Sequence, residues 1–214
     1  MEFLKKYKHT WIIPFYGILY MLAFQYIEQR NVRVNIIHMK IDDYIPFCEY
    51  FIIPYLLWFG YVALTVFYFA FINKNKQEYW QFIGTLGIGM TLFIIISLIY
   101  PNGQNLRPEL SGDSIFIQLV QYLYKIDTPT NILPSIHVFN SIACCVAIFQ
   151  HKPFHKHRGL LSGTAILTTL IVMATVFLKQ HTFVDVIAAV ALNIICFQLF
   201  YKPRVVQEKN PARV

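Results

Sequence analysis

Charged side chains are scarce in this chain. Asp, Glu, Lys and Arg make up 14% of its 214 residues, whereas hydrophobic residues make up 57%. A soluble domain carries about a quarter charged residues. The deficit excludes an ordinary soluble domain, and the mean hydropathy of +0.49 agrees with that exclusion. We therefore expect an integral membrane protein.

Cysteine is also scarce, and its placement argues against disulfides and zinc. The four cysteines are Cys48, Cys144, Cys145 and Cys196, of which three lie inside apolar runs and none forms a C-x-x-C pair. This placement is typical of small apolar side chains within helices. No cluster of carboxylates indicates a metal site either, so we expect a protein without metal or cofactor.

A strip of interleaved aromatic and basic residues is missing too, which argues against nucleic acid as a partner. The formal net charge is +7, but the basic residues lie mainly in short loops between apolar runs. This distribution is typical of contact with anionic lipid headgroups at the cytoplasmic surface. Segment 151–158 alternates His151, His155 and His157 with basic residues, and we expect it to contact headgroups rather than a metal.

Long apolar runs are what the chain does have. Spanning the hydrocarbon core takes about 20 residues, with a lower limit of about 17. Six runs are candidates: 11–27, 50–72, 82–100, 136–149, 160–178 and 182–201. A further apolar stretch, 115–124, is too short to span, and we expect an interfacial helix there within segment 101–135. The sequence predicts an all-α polytopic membrane protein, one domain over residues 1–214 with six transmembrane helices.

The basic residues orient the six spans. Twelve of the 18 fall on one side if the N-terminus, segments 73–81 and 150–159 and the C-terminal tail share that side. They are Lys5, Lys6, Lys8, Lys74, Lys76, Lys152, Lys156, Arg158, Lys202, Arg204, Lys209 and Arg213. The positive-inside rule makes this side cytoplasmic. We expect both termini in the cytoplasm and, from the small size and short loops, a bacterial plasma membrane.

Two histidines and a carboxylate fall on the opposite, extracytoplasmic side. His181 and Asp185 are four residues apart at the start of the last apolar run, so they share one helix face. An aspartate so placed accepts a hydrogen bond from one imidazole nitrogen and leaves the other free as base or nucleophile. His137 begins the fourth run on the same side, and we expect the two histidines to meet. Ionisable groups at the edge of apolar spans are functional candidates because their burial is costly.

Three motifs follow one another on that side: Arg107-Pro108, Pro134-Ser135-Ile136-His137 and His181-x-x-x-Asp185. Together they resemble the type 2 phosphatidic acid phosphatase superfamily. Its pattern is K-x6-R-P, P-S-G-H and S-R-x5-H-x3-D on a six-helix bundle. The resemblance extends from about the third span to the sixth and implies a catalytic half over residues 82–201.

The resemblance implies a role for each matching residue. His181 would accept the phosphoryl group as nucleophile. Asp185 would orient the ring of His181 and stabilise its charge, and His137 would protonate the leaving alcohol. Arg107 and Ser135 would hold the phosphate oxygens. Phosphoryl transfer depends on such positioning and on donors around the equatorial oxygens, and an alkoxide leaving group needs an acid.

The chain departs from the superfamily pattern at three places. Tyr100 stands at the lysine of the first motif and Ile136 at the glycine of the second, and residues 174–175, Ala-Thr, stand at the Ser-Arg of the third. Two cations of the pattern are therefore replaced. Lys179 and Lys125 are the candidates to supply positive charge to a substrate phosphate.

The resemblance implies a metal-independent lipid phosphatase that works through a phosphohistidine at the extracytoplasmic face. Its substrate would be phosphatidic acid, phosphatidylglycerol phosphate or a polyprenyl diphosphate. Residues 181–186, His-Thr-Phe-Val-Asp-Val, also resemble the H-Y-T-x-D-V of sphingolipid synthases. That likeness implies a phosphotransferase that passes a phospho-headgroup to an alcohol. A third alternative is a non-catalytic lipid-binding or transport protein on the same bundle.

Each candidate residue also has a purely structural alternative. His181 and Asp185 would form a helix-capping pair, and Ser135 would be a helix N-cap. Arg107 would contact lipid headgroups. Lys179 would bury its apolar stem and extend its ammonium group to the membrane interface.

Overall fold

The protein is described by a computed structural model over residues 8–202, and this part of the chain consists mainly of helices. Its eight α-helices are α1 (Ile12–Glu28), α2 (Lys40–Tyr44), α3 (Ile52–Phe67), α4 (Lys76–Ile99), α5 (Ile115–Ile126), α6 (Ile136–Gln150), α7 (Arg158–Phe177) and α8 (Phe183–Phe200). The basic residues of the charge count that lie outside the described residues are Lys5, Lys6, Arg204, Lys209 and Arg213.

Short turns extend several of these helices. The 3-10 turns Lys8–Trp11 and Glu49–Phe51 lead into α1 and α3, and a π-helical turn, Tyr68–Ile72, continues α3. A third 3-10 turn, Lys152–Lys156, joins α6 to α7. In the described part of the chain, the only strands are two residues long: β1 (Asn35–Ile36) pairs in parallel with β2 (Asn102–Gly103).

Five helical segments between residues 8 and 202 are long and apolar enough to cross a membrane. They are Lys8–Glu28, Glu49–Ile72, Lys76–Ile99, Arg158–Phe177 and Phe183–Phe200. The mostly helical class is confirmed, and these segments support a membrane-embedded protein. The predicted fourth span forms α6, whose 15 residues are fewer than a span ordinarily takes. The predicted interfacial stretch forms α5, a helix of 12 residues.

Helix α4 begins well before the predicted apolar run because a side chain caps it. Oδ1 of Asn75 accepts hydrogen bonds from the backbone N–H groups of Gln77 (3.0 Å) and Glu78 (3.4 Å). Such a cap satisfies the free N–H groups of the first turn. The polar residues before the apolar run therefore join the helix, and the predicted loop 73–81 shortens to residues 73–75.

Hydrogen bonds at one end of the bundle hold α4 against the first and last helices. Oη of Tyr79 donates to the carbonyl of His9, just before α1 (3.0 Å). Nε2 of Gln81 donates to the carbonyl of Phe200 at the end of α8 (2.7 Å). The start of α4 therefore lies beside the start of α1 and the end of α8.

The opposite end gathers the end of α1 and the starts of α6 and α8. Glu28 ends α1, and its Oε1 accepts from Nδ2 of Asn131, which precedes α6 (2.6 Å). The backbone N–H of Ser135 donates to the carbonyl of Asp185 in the first turn of α8 (3.3 Å). The sequence-predicted site residues at these helix starts consequently share one end of the bundle.

Helix α6 is the most enclosed helix, and most of its side chains are buried. Phe139 of α6 packs against α4 at Gly89, where a Cβ atom would lie 2.0 Å from the ring. On its other side, Nδ2 of Asn193 in α8 donates to the carbonyl of Phe139 (3.1 Å). A helix enclosed in this way is held by protein neighbours rather than by lipid.

The side chain of His151 is buried within the protein, which disagrees with the predicted contact of this residue with lipid headgroups. Its side chain is buried at the end of α6, with Nδ1 2.6 Å from Oε2 of Glu78 and Nε2 2.9 Å from Oη of Tyr68. Both ring nitrogens have polar protein partners, so the ring is buried without leaving a nitrogen unsatisfied. His155 and His157 are exposed.

Candidate active site

The rings of His137 and His181 meet where α6 and α8 begin. Nε2 of His181 lies 3.4 Å from Nδ1 of His137, and the ring centroids are 5.6 Å apart. Both side chains are buried. The predicted meeting of the two histidines is confirmed.

Asp185 is fully buried between His181 and the first turn of α8. Its Oδ2 accepts from the backbone N–H of Thr182 (2.8 Å) and lies 3.4 Å from Nδ1 of His181. The imidazole and the carboxylate are near each other but not hydrogen-bonded, since Nδ1 of His181 and Oδ1 of Asp185 find no partner within residues 8–202. The carboxylate caps the helix and faces the imidazole, so the structural alternative is observed and the functional one stays a prediction.

Helix α3 places two aromatic rings against His137. The ring centroid of Trp58 lies 4.3 Å from that of His137, and the ring centroid of Tyr55 lies 4.7 Å from it. Oη of Tyr55 donates to Oδ2 of Asp127 (2.9 Å), which fixes the tyrosine ring. The two rings restrict the orientation of the imidazole.

Both imidazoles line a cavity of about 280 Å³ between α1, α3, α4 and α5. Its walls are mostly apolar, and its polar lining includes Asp127, Thr128, Thr130, Asn131 and Gln180. An apolar cavity with a few convergent polar groups is typical of a small-molecule site. The apolar walls suit the chain of a lipid, and the imidazoles suit its polar end.

Ser135 is the N-cap of α6. Its Oγ accepts from the backbone N–H of Val138 (3.4 Å), and its own N–H is bonded to Asp185. The residue is fully buried, and it is not among the residues that line the cavity in the described part of the chain. Its phosphate-binding role stays a prediction.

Arg107 reaches the site through Gln180. Its guanidinium donates to the carbonyls of Tyr124 (3.1 Å) and Asp127 (2.7 Å) and to Oε1 of Gln180, and it lies 4.4 Å over the ring of Tyr124. Burial lowers the pKa of the guanidinium, and the carboxylate of Asp127 opposes that effect. Gln180 lines the cavity, whereas Arg107 lies behind it. The phosphate-binding role of Arg107 stays a prediction.

Lys179 holds the chain segment around α2 onto the turn between α7 and α8. Nζ donates to the backbone carbonyls of Asp42 (2.7 Å) and Ile45 (2.5 Å). Burial lowers the pKa of this ammonium group, and the carboxylates of Asp42 and Asp43 act in the opposite direction. Its predicted role as a phosphate ligand stays a prediction, and the observed contacts give it a structural role.

Asp42 completes this clamp from the other side. Its carboxylate is buried, and it accepts from the backbone N–H groups of Phe183 and Met39 (2.8 Å each). Phe183 is the first residue of α8, and a carboxylate is favoured at a helix N-terminus by the helix dipole. The turn that carries His181 is therefore fixed at both ends.

The positions of the replaced cations bring no charge to the histidines. Thr175 is fully buried, and its carbonyl accepts from the backbone N–H groups of Gln180 and His181 (3.0 Å each). Tyr100 and Lys125 are exposed, and neither lines the cavity within the described range. Residues 8–202 contain no group of three or more His, Cys, Asp or Glu side chains that could hold a metal ion.

Asn102 joins the polar segment after α4 to the loop before α6. Its Oδ1 accepts from the backbone N–H groups of Ile132 (2.9 Å) and Leu133 (3.0 Å), and its Nδ2 donates to the carbonyl of Tyr100 (2.8 Å). A Cβ atom at the next residue, Gly103, would lie 2.6 Å from a backbone oxygen, so only glycine fits. The loop leading to His137 is positioned by the hydrogen bonds of Asn102.

Sequence reasoning missed several residues of this site. Gln180 directly precedes His181, the predicted nucleophile, and this adjacency in sequence could have identified it as a site residue. The Asn-Gly dipeptide at residues 102–103 was a second signal, because such a pair marks a break in helical structure, although here it forms β2. Tyr55 and Trp58 had none, because an aromatic residue in an apolar span is ordinary.

Comparison with known proteins gives no relative: no family model, no curated protein and no solved structure matches this chain. The geometry of the site and the resemblance of its motifs are therefore the basis for assigning a function.

Proposed function

We propose that this chain is an integral membrane lipid phosphatase. It would hydrolyse a lipid phosphate or diphosphate monoester through a phosphohistidine, without a metal, at the extracytoplasmic face. The observation that supports this most is the approach of Nε2 of His181 to Nδ1 of His137, 3.4 Å, beside an apolar cavity. The proposal includes membership of the type 2 phosphatidic acid phosphatase superfamily, six spans with α6 as the fourth, and both termini in the cytoplasm of a bacterium.

The proposed reaction has two steps. The carboxylate of Asp185, 3.4 Å from Nδ1 of His181, favours the proton on that nitrogen by its charge, which leaves the lone pair of Nε2 free to attack phosphorus. The N–P bond forms as the P–O bond to the lipid breaks, and His137 gives its proton to the leaving oxygen. His137 then takes a proton from water, which attacks the phosphohistidine and releases phosphate.

The substrate must replace the contact between the two rings. A nucleophile approaches its target atom to roughly 3–3.5 Å before bond formation. The two nitrogens are 3.4 Å apart, so a phosphoryl group and its leaving oxygen do not fit between them. One ring therefore rotates or shifts when the lipid enters, and the His–His hydrogen bond is a resting contact.

A phosphotransferase is the second candidate. Thr128, Thr130 and Asn131 line the same cavity, and their hydroxyl and amide groups suit hydrogen bonds to an alcohol. In that case the alcohol, rather than water, takes the phosphoryl group from His181. The first step is unchanged.

One assay separates these candidates. The purified protein is incubated in chelator with a lipid phosphate, with and without lipid or sugar alcohols. Free phosphate supports the phosphatase, and headgroup exchange without free phosphate supports the transferase. Lipid binding without turnover supports the non-catalytic alternative. His181→Ala and His137→Ala should each abolish turnover, and turnover that survives both would refute the proposal.

A further inference from the structure

Gln180 presents a buried hydrogen-bond donor to the cavity. Its side chain is 2% exposed and lines the cavity together with His137 and His181. Nε2 finds no hydrogen-bond partner among the residues that the structure describes. An unpaired buried donor is costly and indicates either strain or a ligand.

Arg107 fixes which end of this amide is available. A guanidinium has donors only, so the atom of Gln180 that it contacts must be the carbonyl Oε1. The amide cannot reverse without placing two donors against each other. Nε2 is consequently the free end, and the positive charge of Arg107 polarises its N–H bonds.

Trp58 supplies a second donor of the same kind. It is 9% exposed and lines the same cavity, its ring lies against His137, and Nε1 has no partner in residues 8–202. An indole N–H only donates. Two neutral donors, one on α3 and the other in the turn between α7 and α8, are thus available to an acceptor beside the two histidines.

The charges around the cavity are unusual for a phosphate site. No lysine or arginine of the described range lines it, whereas the carboxylate residue Asp127 does. The two terminal nitrogens of Arg107 and Nζ of Lys179 donate to protein oxygens, and Nε of Arg107 lies behind the cavity without a partner in residues 8–202. A second negative charge on a phosphate would therefore meet a carboxylate without a lining cation to balance it, which is unfavourable at short range.

We propose that Gln180, assisted by Trp58, binds a non-bridging phosphate oxygen at His181, and that the site takes a phosphate ester with one negative charge. Such an ester is a phosphodiester or a singly protonated monoester. The assignment rests on the proposed phosphoryl transfer, and Arg107 acts in it as a positioning residue through Oε1 of Gln180. A neutral donor replaces the cations of the superfamily pattern.

Turnover tests the donor. Gln180→Leu removes it, and Gln180→Glu keeps the shape but turns donor into acceptor. Each should lower kcat by about 10²–10³, the loss typical for one oxyanion donor. The matched control is Gln121→Leu, because Nε2 of Gln121 donates to the carbonyl of Leu110 (3.2 Å) and the residue does not line the cavity. Rates within about threefold of the control for both Gln180 variants would overturn the assignment.

Binding tests the charge, independently of turnover. Calorimetry on the full chain in detergent compares a long-chain alkylphosphonate with its monomethyl ester, above the second phosphonate pKa. The free acid is then a dianion and the ester a monoanion. The ester should bind roughly tenfold more tightly, Gln180→Glu should weaken it, and Gln180→Lys should reverse the order. Tighter binding of the dianion by wild type would refute the charge assignment.

The two readouts separate the two proposals. If wild type binds the ester through Gln180 but transfers no phosphoryl group, the proposed enzyme activity fails and the binding assignment stands. If wild type turns over lipid phosphates and the Gln180 variants do so at the control rate, the enzyme stands and the assignment of Gln180 fails. Arg107→Met should weaken ester binding only while Gln180 is present, which separates positioning from a general loss of structure.

Discussion

Two residues beside the histidines combine an observed structural role with a candidate chemical one. Asp185 caps α8 while facing His181, and Ser135 caps α6 while bonding to the first turn of α8. An alanine substitution at either position therefore removes a helix cap as well as a candidate functional group. Substitutions that separate the two effects are the informative ones.

Lys179 offers substitutions of this kind, because its backbone is in the left-handed region at φ +52°, where alanine and glycine differ in backbone strain. Lys179→Ala should destabilise the fold by about 1–3 kcal/mol, since two buried carbonyls lose their donor. Lys179→Gly loses the same bonds but adopts this φ without strain. It should therefore be about 1 kcal/mol more stable than Lys179→Ala. Thermal unfolding in detergent measures both variants against wild type.

Turnover of the same variants decides between a clamp and a phosphate ligand. If Lys179 acts as a clamp, turnover should fall in proportion to stability, and the glycine variant should be the more active. Equal stability of Lys179→Ala and wild type, combined with a large loss of turnover, would instead support the ligand role expected from the sequence. Wild-type rates in both variants would contradict either role.

The central triad of the site was accessible from sequence, and its surroundings were not. Spacing places His181 and Asp185 on one helix face, and the edges of apolar runs place His137 at the same depth. Gln180 and Trp58 owe their interest to missing hydrogen bonds, which depend on where every neighbouring group lies. No pattern along the chain carries that information.

Helix boundaries followed the apolar pattern closely in α1, α7 and α8. The pattern failed at the start of α4, because the Asn75 cap extends the helix into polar sequence. It matched α6 to within one residue, and this helix, enclosed by protein, is shorter than a span ordinarily is. Ser135 caps this helix at one end, and the residue that follows its other end, His151, is buried against polar partners.

The contact between α4 and α6 gives a prediction for these two helices. Gly89→Ala would place a Cβ 2.0 Å from the ring of Phe139, so the helices must separate or the ring must turn. Overpacking of this kind costs about 1–3 kcal/mol. Gly87→Ala is the matched control, because no atom lies within 4 Å of its added Cβ. Comparable unfolding temperatures for the two variants would show that α4 and α6 do not pack as described.

Across the whole molecule, the two ends of the bundle differ in kind. One end joins helices through direct pairs such as His151 with Glu78. The other carries segment 101–135, which the sequence predicted only as a polar stretch with one short helix. In the structure this segment lines the cavity and positions the loop before His137 through Asn102, a tertiary arrangement that composition does not encode.

The central claim is that these helix ends bring two imidazoles together to transfer one phosphoryl group. Its most direct test is to mix the full-length protein with a lipid phosphate, quench in alkali and locate any added phosphoryl group by mass spectrometry. We expect an acid-labile phosphoryl group on His181 in wild type, and none in His181→Gln. Turnover with an unmodified His181, or a phosphoryl group on another residue, would contradict the account.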